Sequence, residues 1–512
     1  MPLDMLSSDA PATAPLERLR ALLARVHDLN SAAAVLEWDQ ETYMPDGATA
    51  ARAHQIATLR RLAHEHFTTD EVGRLLDALA PDAVDLDPVS TRASLVRVAR
   101  RDYEKAVRLP PELVAEMAEA IALARHAWKA ARETNRFATF APHLERIVDL
   151  NVRKAEAYGY AARRYDALLD QYEPGMTTAE VERVFGALRS ELVPIVQSIA
   201  DAAPLDDAVL HRAFDRQKQW DFGMSVLRDI GYDFERGRQD LSTHPFTTTF
   251  SITDVRLTTR VDEHFFPTAF FGTLHEAGHG LYEQGIDPEL ERTPLAEGTS
   301  LGMHESQSRL WENLVGRSLP FWRHYFGPLQ AAFPDALAGV SPEAFYRAVN
   351  RVRPSLIRVE ADEVTYNLHI MLRFELETAM VEGRVGVAEL PELWNAKMEE
   401  YLGLRPATDA QGVLQDVHWS IGSLGYFPTY TLGNLMSTQL FDQARRDVPG
   451  LEDQIAAGRF ADLLAWLRTH VHRYGRKLTA TEILQHVTGE GLSAESWLAY
   501  IRRKYGALYG IG

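Results

Sequence analysis

Phe270-Phe271-Gly272-Thr273-Leu274-His275-Glu276-Ala277-Gly278-His279-Gly280-Leu281-Tyr282 reads as one amphipathic helix. His275 and His279 are four residues apart, so both imidazoles rise on one face and can reach a single ion. Glu276 follows the first histidine and lies beside that ion, where a carboxylate can take a proton from a bound water. A helix therefore sits at the centre of whatever chemistry this chain performs.

The two strands read from the sequence lie just upstream. Phe246–Ile252 and Val255–Val261 are β-branched and alternating, with a short turn around Thr253-Asp254, and predict a small sheet immediately before the histidine helix. A strand edge there suits an extended peptide. Elsewhere helical periodicity dominates: Leu16, Leu19, Leu22, Leu23 and Val26 open it, and it returns through 50–80, 88–135, 140–170, 177–200, 205–230, 340–383 and 453–470. The expected fold is mainly α, a large helical body around a deep groove with one small β-sheet beside the metal helix. Residues 1–13 are rich in Ser, Pro and Ala and read as a flexible tail. Residues 14–512 carry no linker or fixed repeat and read as a single domain.

The chain has 512 residues, 46% hydrophobic and 25% charged, as expected of a globular protein. Its formal net charge of −18 argues against nucleic acid or an anionic membrane surface as partner. No apolar run approaches the roughly 18 residues needed to span a bilayer, and the first residues lack the basic and apolar regions of a signal peptide. A cytoplasmic location is the expectation. Cysteine is absent, so any metal must be held by nitrogen and oxygen.

A catalytic zinc needs three protein ligands and one open position. With His275 and His279 in place, the third is sought among downstream acids. Glu283 lies one turn past His279 and points along the helix axis. Glu305 lies in Thr299–Leu310, a second helix with a Ser or Thr cap, and a loop of about a dozen residues lets that helix fold back on the first. Glu305 is the preferred third ligand and Glu297 its rival.

Further motifs make the chain resemble the carboxypeptidase Taq family. They are His244-Pro245-Phe246, Asp254-Val255-Arg256-Leu257-Thr258, His304-Glu305-Ser306-Gln307, Ile357-Arg358-Val359-Glu360-Ala361-Asp362 and Gly412-Val413-Leu414-Gln415-Asp416-Val417-His418-Trp419. Leu36–Pro45 also resembles family sequence, and the likeness runs from about residue 15 to the C-terminus. It implies a homodimeric metallocarboxypeptidase that removes single residues from peptide C-termini with broad specificity, using zinc or cobalt. On that reading His275, His279 and Glu305 hold the metal and Glu276 is the base. By analogy with related helical zinc peptidases, His418 and Tyr430 steady the oxyanion, while Tyr426 reads as a packed aromatic. Arg256 and Arg358 are candidates for the terminal carboxylate, with Asp254 and Asp362 as their possible partners, and His244 for substrate. The rival readings are a zinc oligopeptidase or endopeptidase of the same helical class and a non-catalytic peptide-binding protein.

Overall fold

The computed structural model describes residues 14–511, so the expectation for residues 1–13 lies outside the described residues. Twenty α-helices and one three-stranded sheet account for most of the ordered backbone among them. Seven helices bear on the site. They are α1 (Ala14–Thr42), α2 (Arg216–Asp229), α3 (Pro267–Gln284), α4 (Leu301–Arg309), α5 (Tyr366–Val381), α6 (Pro428–Asp447) and α7 (Glu495–Tyr509). No helix among the described residues is long and apolar enough to cross a membrane.

The sheet has strands β1 (Gly237–Leu241), β2 (Thr247–Ser251) and β3 (Asp254–Thr259) in the order β1-β3-β2. β2 and β3 form the antiparallel pair read from the sequence, with a register shift between Thr249 and Ser251. β1 runs parallel to β3 and was not anticipated. Its sequence, Gly-Arg-Gln-Asp-Leu, is polar and has no apolar alternation to signal a strand. Only pairing with β3 makes it one.

Helix α3 begins at Pro267, where a fixed φ and a missing N–H cost nothing. Phe270, Leu274, Ala277 and Leu281 recur every three or four residues, Phe271 adjoins them, and all five are buried. Each large apolar side chain so placed stabilises the fold by roughly 1.5–3 kcal/mol. This face seats α3 in an aromatic cluster with Trp311, Phe321, Trp322 and Phe345. Its other face is left for the histidines.

Helix α4 is capped by Ser300, whose hydroxyl accepts from the Met303 N–H at 3.0 Å. Beyond Arg309 the chain widens into a π-helical turn over Leu310–Val315. Such turns are rare and gather at functional sites. The expected helical run over 340–383 is broken: Pro342–Val349 and α5 flank an irregular segment with one short turn at Arg358–Glu360. The first helix ends at its C-cap Asn350, and Pro354, which lacks a donor and restricts the residue before it, keeps the next segment from resuming a helix. The run over 453–470 likewise divides, at Gly458, which sits at positive φ.

Candidate metal centre and active site

The Nε2 atoms of His275 and His279 lie 3.5 and 3.7 Å from Glu305 Oε2. One ligating atom from each of the three residues falls within 4.8 Å of the others. Among the described residues no other group of His, Cys, Asp or Glu is arranged this way. Glu297, the rival third ligand, instead faces Arg476 at 3.8 Å.

Whether these residues suit a metal depends on what their remaining atoms do. His275 Nδ1 meets Glu312 Oε2 at 3.0 Å. His279 Nδ1 meets His304 Nδ1 at 2.8 Å, and His304 Nε2 meets Glu283 Oε1 at 2.5 Å. Both rings therefore spend Nδ1 on a neighbour and turn Nε2 toward Glu305, the arrangement by which outer groups set a ligating tautomer. If the Nδ1 of His279 carries the proton, His304 accepts there and donates from Nε2 to Glu283. Burial lowers the His279 pKa well below its ordinary value, which keeps the ring in the neutral form a metal requires. The donor set fits a divalent ion such as zinc.

Arg309 ties the carboxylates together. Its Nε donates to Glu305 Oε1 at 2.7 Å and its NH1 to Glu312 Oε2 at 3.2 Å, while the guanidinium lies 4.7 Å over the Tyr366 ring. Arg309 follows Glu305 by four residues, so this pair was legible as a helical neighbour. Glu312 was not, because the π turn that presents it has no sequence signature. Despite burial, Arg309, His275 and Arg317 hold the Glu312 carboxyl far below its usual range.

Glu276 is 6% exposed and lies against β2. Thr247 donates to both its Oε2, at 2.7 Å, and its backbone carbonyl, at 2.9 Å. Burial raises the Glu276 pKa, the direction that makes a carboxylate a better base. The sequence did not single out Thr247, Arg309, Glu312, His304 or Asp416 for these tasks.

These side chains open on a groove of about 1390 Å³. His275, Glu276, Glu305, His244, Arg358, His418 and Tyr430 all line it. Burial pushes the His418 pKa down to about 4, so the ring is neutral at pH 7, and its Nε2 lies 3.4 Å from the Tyr430 hydroxyl. Tyr426 packs against Tyr172 and His418 with ring centroids 5.2 Å away in each case. Arg358 is buried and donates from Nε and NH2 to Asp416 Oδ1 at 3.0 and 2.8 Å, and from NH1 to the Tyr366 hydroxyl at 3.0 Å. Arg373 takes the other oxygen of Asp416, so two guanidinium groups share one carboxylate and the cluster keeps a net positive charge.

Arg256 is not brought into the groove. It pairs with Asp254 at 2.8 Å and lies over Trp38 of α1 and Phe250, with centroid distances of 4.5 and 4.9 Å. That places it on the α1 side of the sheet, as a fastener between the two. Asp362 does not pair with Arg358. Its oxygens accept from the backbone N–H of Arg353, Val364 and Thr365, closing the segment that carries Arg358.

The model of the family described as carboxypeptidase Taq (M32) metallopeptidase matches residues 18–505. The chain belongs to that family. It is 43% identical over 495 residues to a thermostable carboxypeptidase 1 of Thermus thermophilus, covering 94% of this chain and 96% of that one. The M32 carboxypeptidase structure of Deinococcus radiodurans superposes with a TM-score of 0.95 at 45% identity, over 97% of this chain and 100% of the other. A carboxypeptidase structure of Pyrococcus furiosus gives 0.94 at 38% identity over the same shares. The protein is thus an M32 metallocarboxypeptidase, a peptide hydrolase with a mainly helical fold and one small sheet.

Proposed function

We propose that this M32 enzyme releases single residues from the C-termini of peptides, with broad specificity, through a zinc-dependent hydrolysis in which Glu276 is the general base. The convergence of His275, His279 and Glu305 with Glu276 beside them carries this reading. When bound, zinc, or cobalt in its place, supplies Lewis acidity that acidifies a water and polarises the scissile carbonyl.

The chain's own residues do the rest. Glu276, held at Oε2 by Thr247, takes the proton of the attacking water and returns it to the leaving amine. His418, neutral at pH 7, and the Tyr430 hydroxyl donate to the oxygen on which charge develops. Arg358 binds the terminal carboxylate: of its five N–H bonds three are engaged, and the remaining two belong to a cluster with surplus positive charge. His244, at the groove wall, contacts the substrate chain. Arg256 holds α1 against the sheet. A homodimeric assembly, implied by the family resemblance, and a cytoplasmic location, expected from the sequence, complete the reading.

The test is mass spectrometry of one peptide in free and C-terminally amidated forms, with and without chelator. A ladder of single-residue losses from the free form alone, erased by chelation and restored by zinc or cobalt, is expected. Internal cleavage of the amidated form sinks the proposal.

A further inference from the structure

Outside the catalytic groove, a cleft of about 450 Å³ opens on the far side of the sheet, within the size range of ligand sites. Its floor is β1. One edge of that strand pairs with β3, and the other has no strand beside it among the described residues. Such an edge is a template for an added strand. The walls are Thr42 and Tyr43 at the end of α1 and Arg216, Gln217 and Trp220 in the first turns of α2.

Alternation along β1 sends Arg238 and Asp240 to one face and Gln239 and Leu241 to the other. The first pair is engaged. Arg238 donates to Asp240 at 2.7 and 2.6 Å, and the Tyr43 hydroxyl donates to Asp240 at 2.5 Å. The second pair is not. Gln239 is only 6% exposed, yet its Oε1 has no hydrogen-bond partner. A buried acceptor without a donor is unfavourable, and a ligand N–H relieves it. Leu241, on the same face, and Tyr43, across the strand with Asp240, are exposed apolar surfaces flanking the cleft.

Charge indicates the kind of ligand. Arg216 has no acidic partner among the described residues, and Arg238 and Asp240 cancel, so the cleft is locally positive in a chain of net charge −18. Position indicates its source. Leu241 faces the cleft while His244, three residues on, faces the catalytic groove; at the end of β3, Val261 faces the cleft and Arg260 the groove. β2 lies against Glu276, and β1 is two strand spacings away, about 10 Å.

We propose that this cleft binds, in extended form, an acidic stretch of the substrate lying N-terminal to the bond being cut. The inference rests on the carboxypeptidase reading above. Arg216 pairs with a ligand carboxylate, Gln239 accepts a ligand N–H, and Tyr43, Trp220 and Leu241 cover its apolar side chains.

Three free-ended peptides sharing their last four residues test it with the full-length, metal-loaded enzyme: the short form, one extended by alternating valine and glutamate, and one extended by alternating valine and lysine. The glutamate extension should lower KM roughly three- to fivefold against the lysine extension. Arg216→Ala should erase that preference, and Gln239→Leu should raise KM for both extended peptides alike, with kcat on the short peptide unchanged in each. Equal KM for the two extensions, or a preference that survives Arg216→Ala, overturns the proposal. Calorimetry with the acetylated, amidated valine–glutamate peptide reads the cleft without turnover, so a failure of hydrolysis is told apart from a failure here. Saturable binding weakened by Arg216→Ala supports the cleft, and binding indifferent to that change overturns it.

Discussion

Gly278 of the metal helix lies so close to Ser308 of α4 that a Cβ at 278 would meet the Ser308 Cα at 2.5 Å. On the other side of α4, a Cβ at Gly433 of α6 would meet the Glu305 Cβ at 2.6 Å. The helix that carries Glu305 is thus wedged between two glycines. The spacing of Glu305 from the histidines depends on those two missing methyl groups.

Gly278→Ala should therefore push α4 away and spoil the ligand set while leaving most of the fold intact. Overpacking of this kind costs about 1–3 kcal/mol. Chelator competition should show weakened zinc affinity, with the helical circular dichroism signal nearly unchanged. Wild-type affinity in the variant would contradict the wedge.

Arg309 bridges two buried carboxylates, Glu305 and Glu312. Arg309→Met leaves the buried Glu305 without a guanidinium partner and Glu312 with Arg317 alone. Stranding buried charge costs on the order of 3–5 kcal/mol. Thermal unfolding of the metal-free variant should drop sharply, and added zinc should recover more of the loss than it adds to the wild type.

Glu276→Gln keeps the Thr247 contact geometry but removes the carboxylate proposed as the base. The kcat should fall by at least about 10²–10⁴ while zinc content per chain stays at the wild-type level. Metal analysis beside steady-state kinetics checks both halves. A variant that retains wild-type kcat rules Glu276 out as base.

The two motif arginines should separate cleanly. Arg358→Met should raise KM for free-ended peptides by roughly tenfold or more, since a charged hydrogen bond to substrate is worth about 1.5–3 kcal/mol. Arg256→Met should leave KM alone and lower the melting temperature instead, because its partners are Asp254, Trp38 and Phe250.

Glu377 introduces a pH dependence of stability away from the metal. It is fully buried and accepts from Tyr165, Trp419 and the Gly425 N–H. Burial outweighs those bonds and raises its pKa to about 7 from an ordinary 4.5. Between those values the unfolded chain has released the proton and the folded chain has not, so stability falls as pH rises through that window. The loss is on the order of 3 kcal/mol by pH 7. Urea midpoints at pH 5 and pH 7.5 should differ less in Glu377→Gln than in the wild type.

Much of the His275, His279 and Glu305 cluster was legible in the sequence. His275, Glu276 and His279 occupy one stretch of helix, and their mutual placement follows from 3.6 residues per turn. Glu305 was within reach of the same reasoning, because a capped helix after a short loop folds back on its predecessor. The β2–β3 pair announced itself through alternation. Strand β1 did not, since its polar residues become a strand only through the hydrogen bonds of β3. The break in 340–383 was missed because apolar spacing continued across Pro354.

Helical and strand periodicity alone thus determined which residues share a face, His275 and His279 among them, because those relations live within one element. Only the tertiary structure decided that Glu312 holds His275, that His304 links His279 to Glu283, and that Arg358 faces the groove while Arg256 faces α1. Those relations join residues from separate elements, and their distances follow from how the helices and the sheet pack rather than from the spacing of the chain.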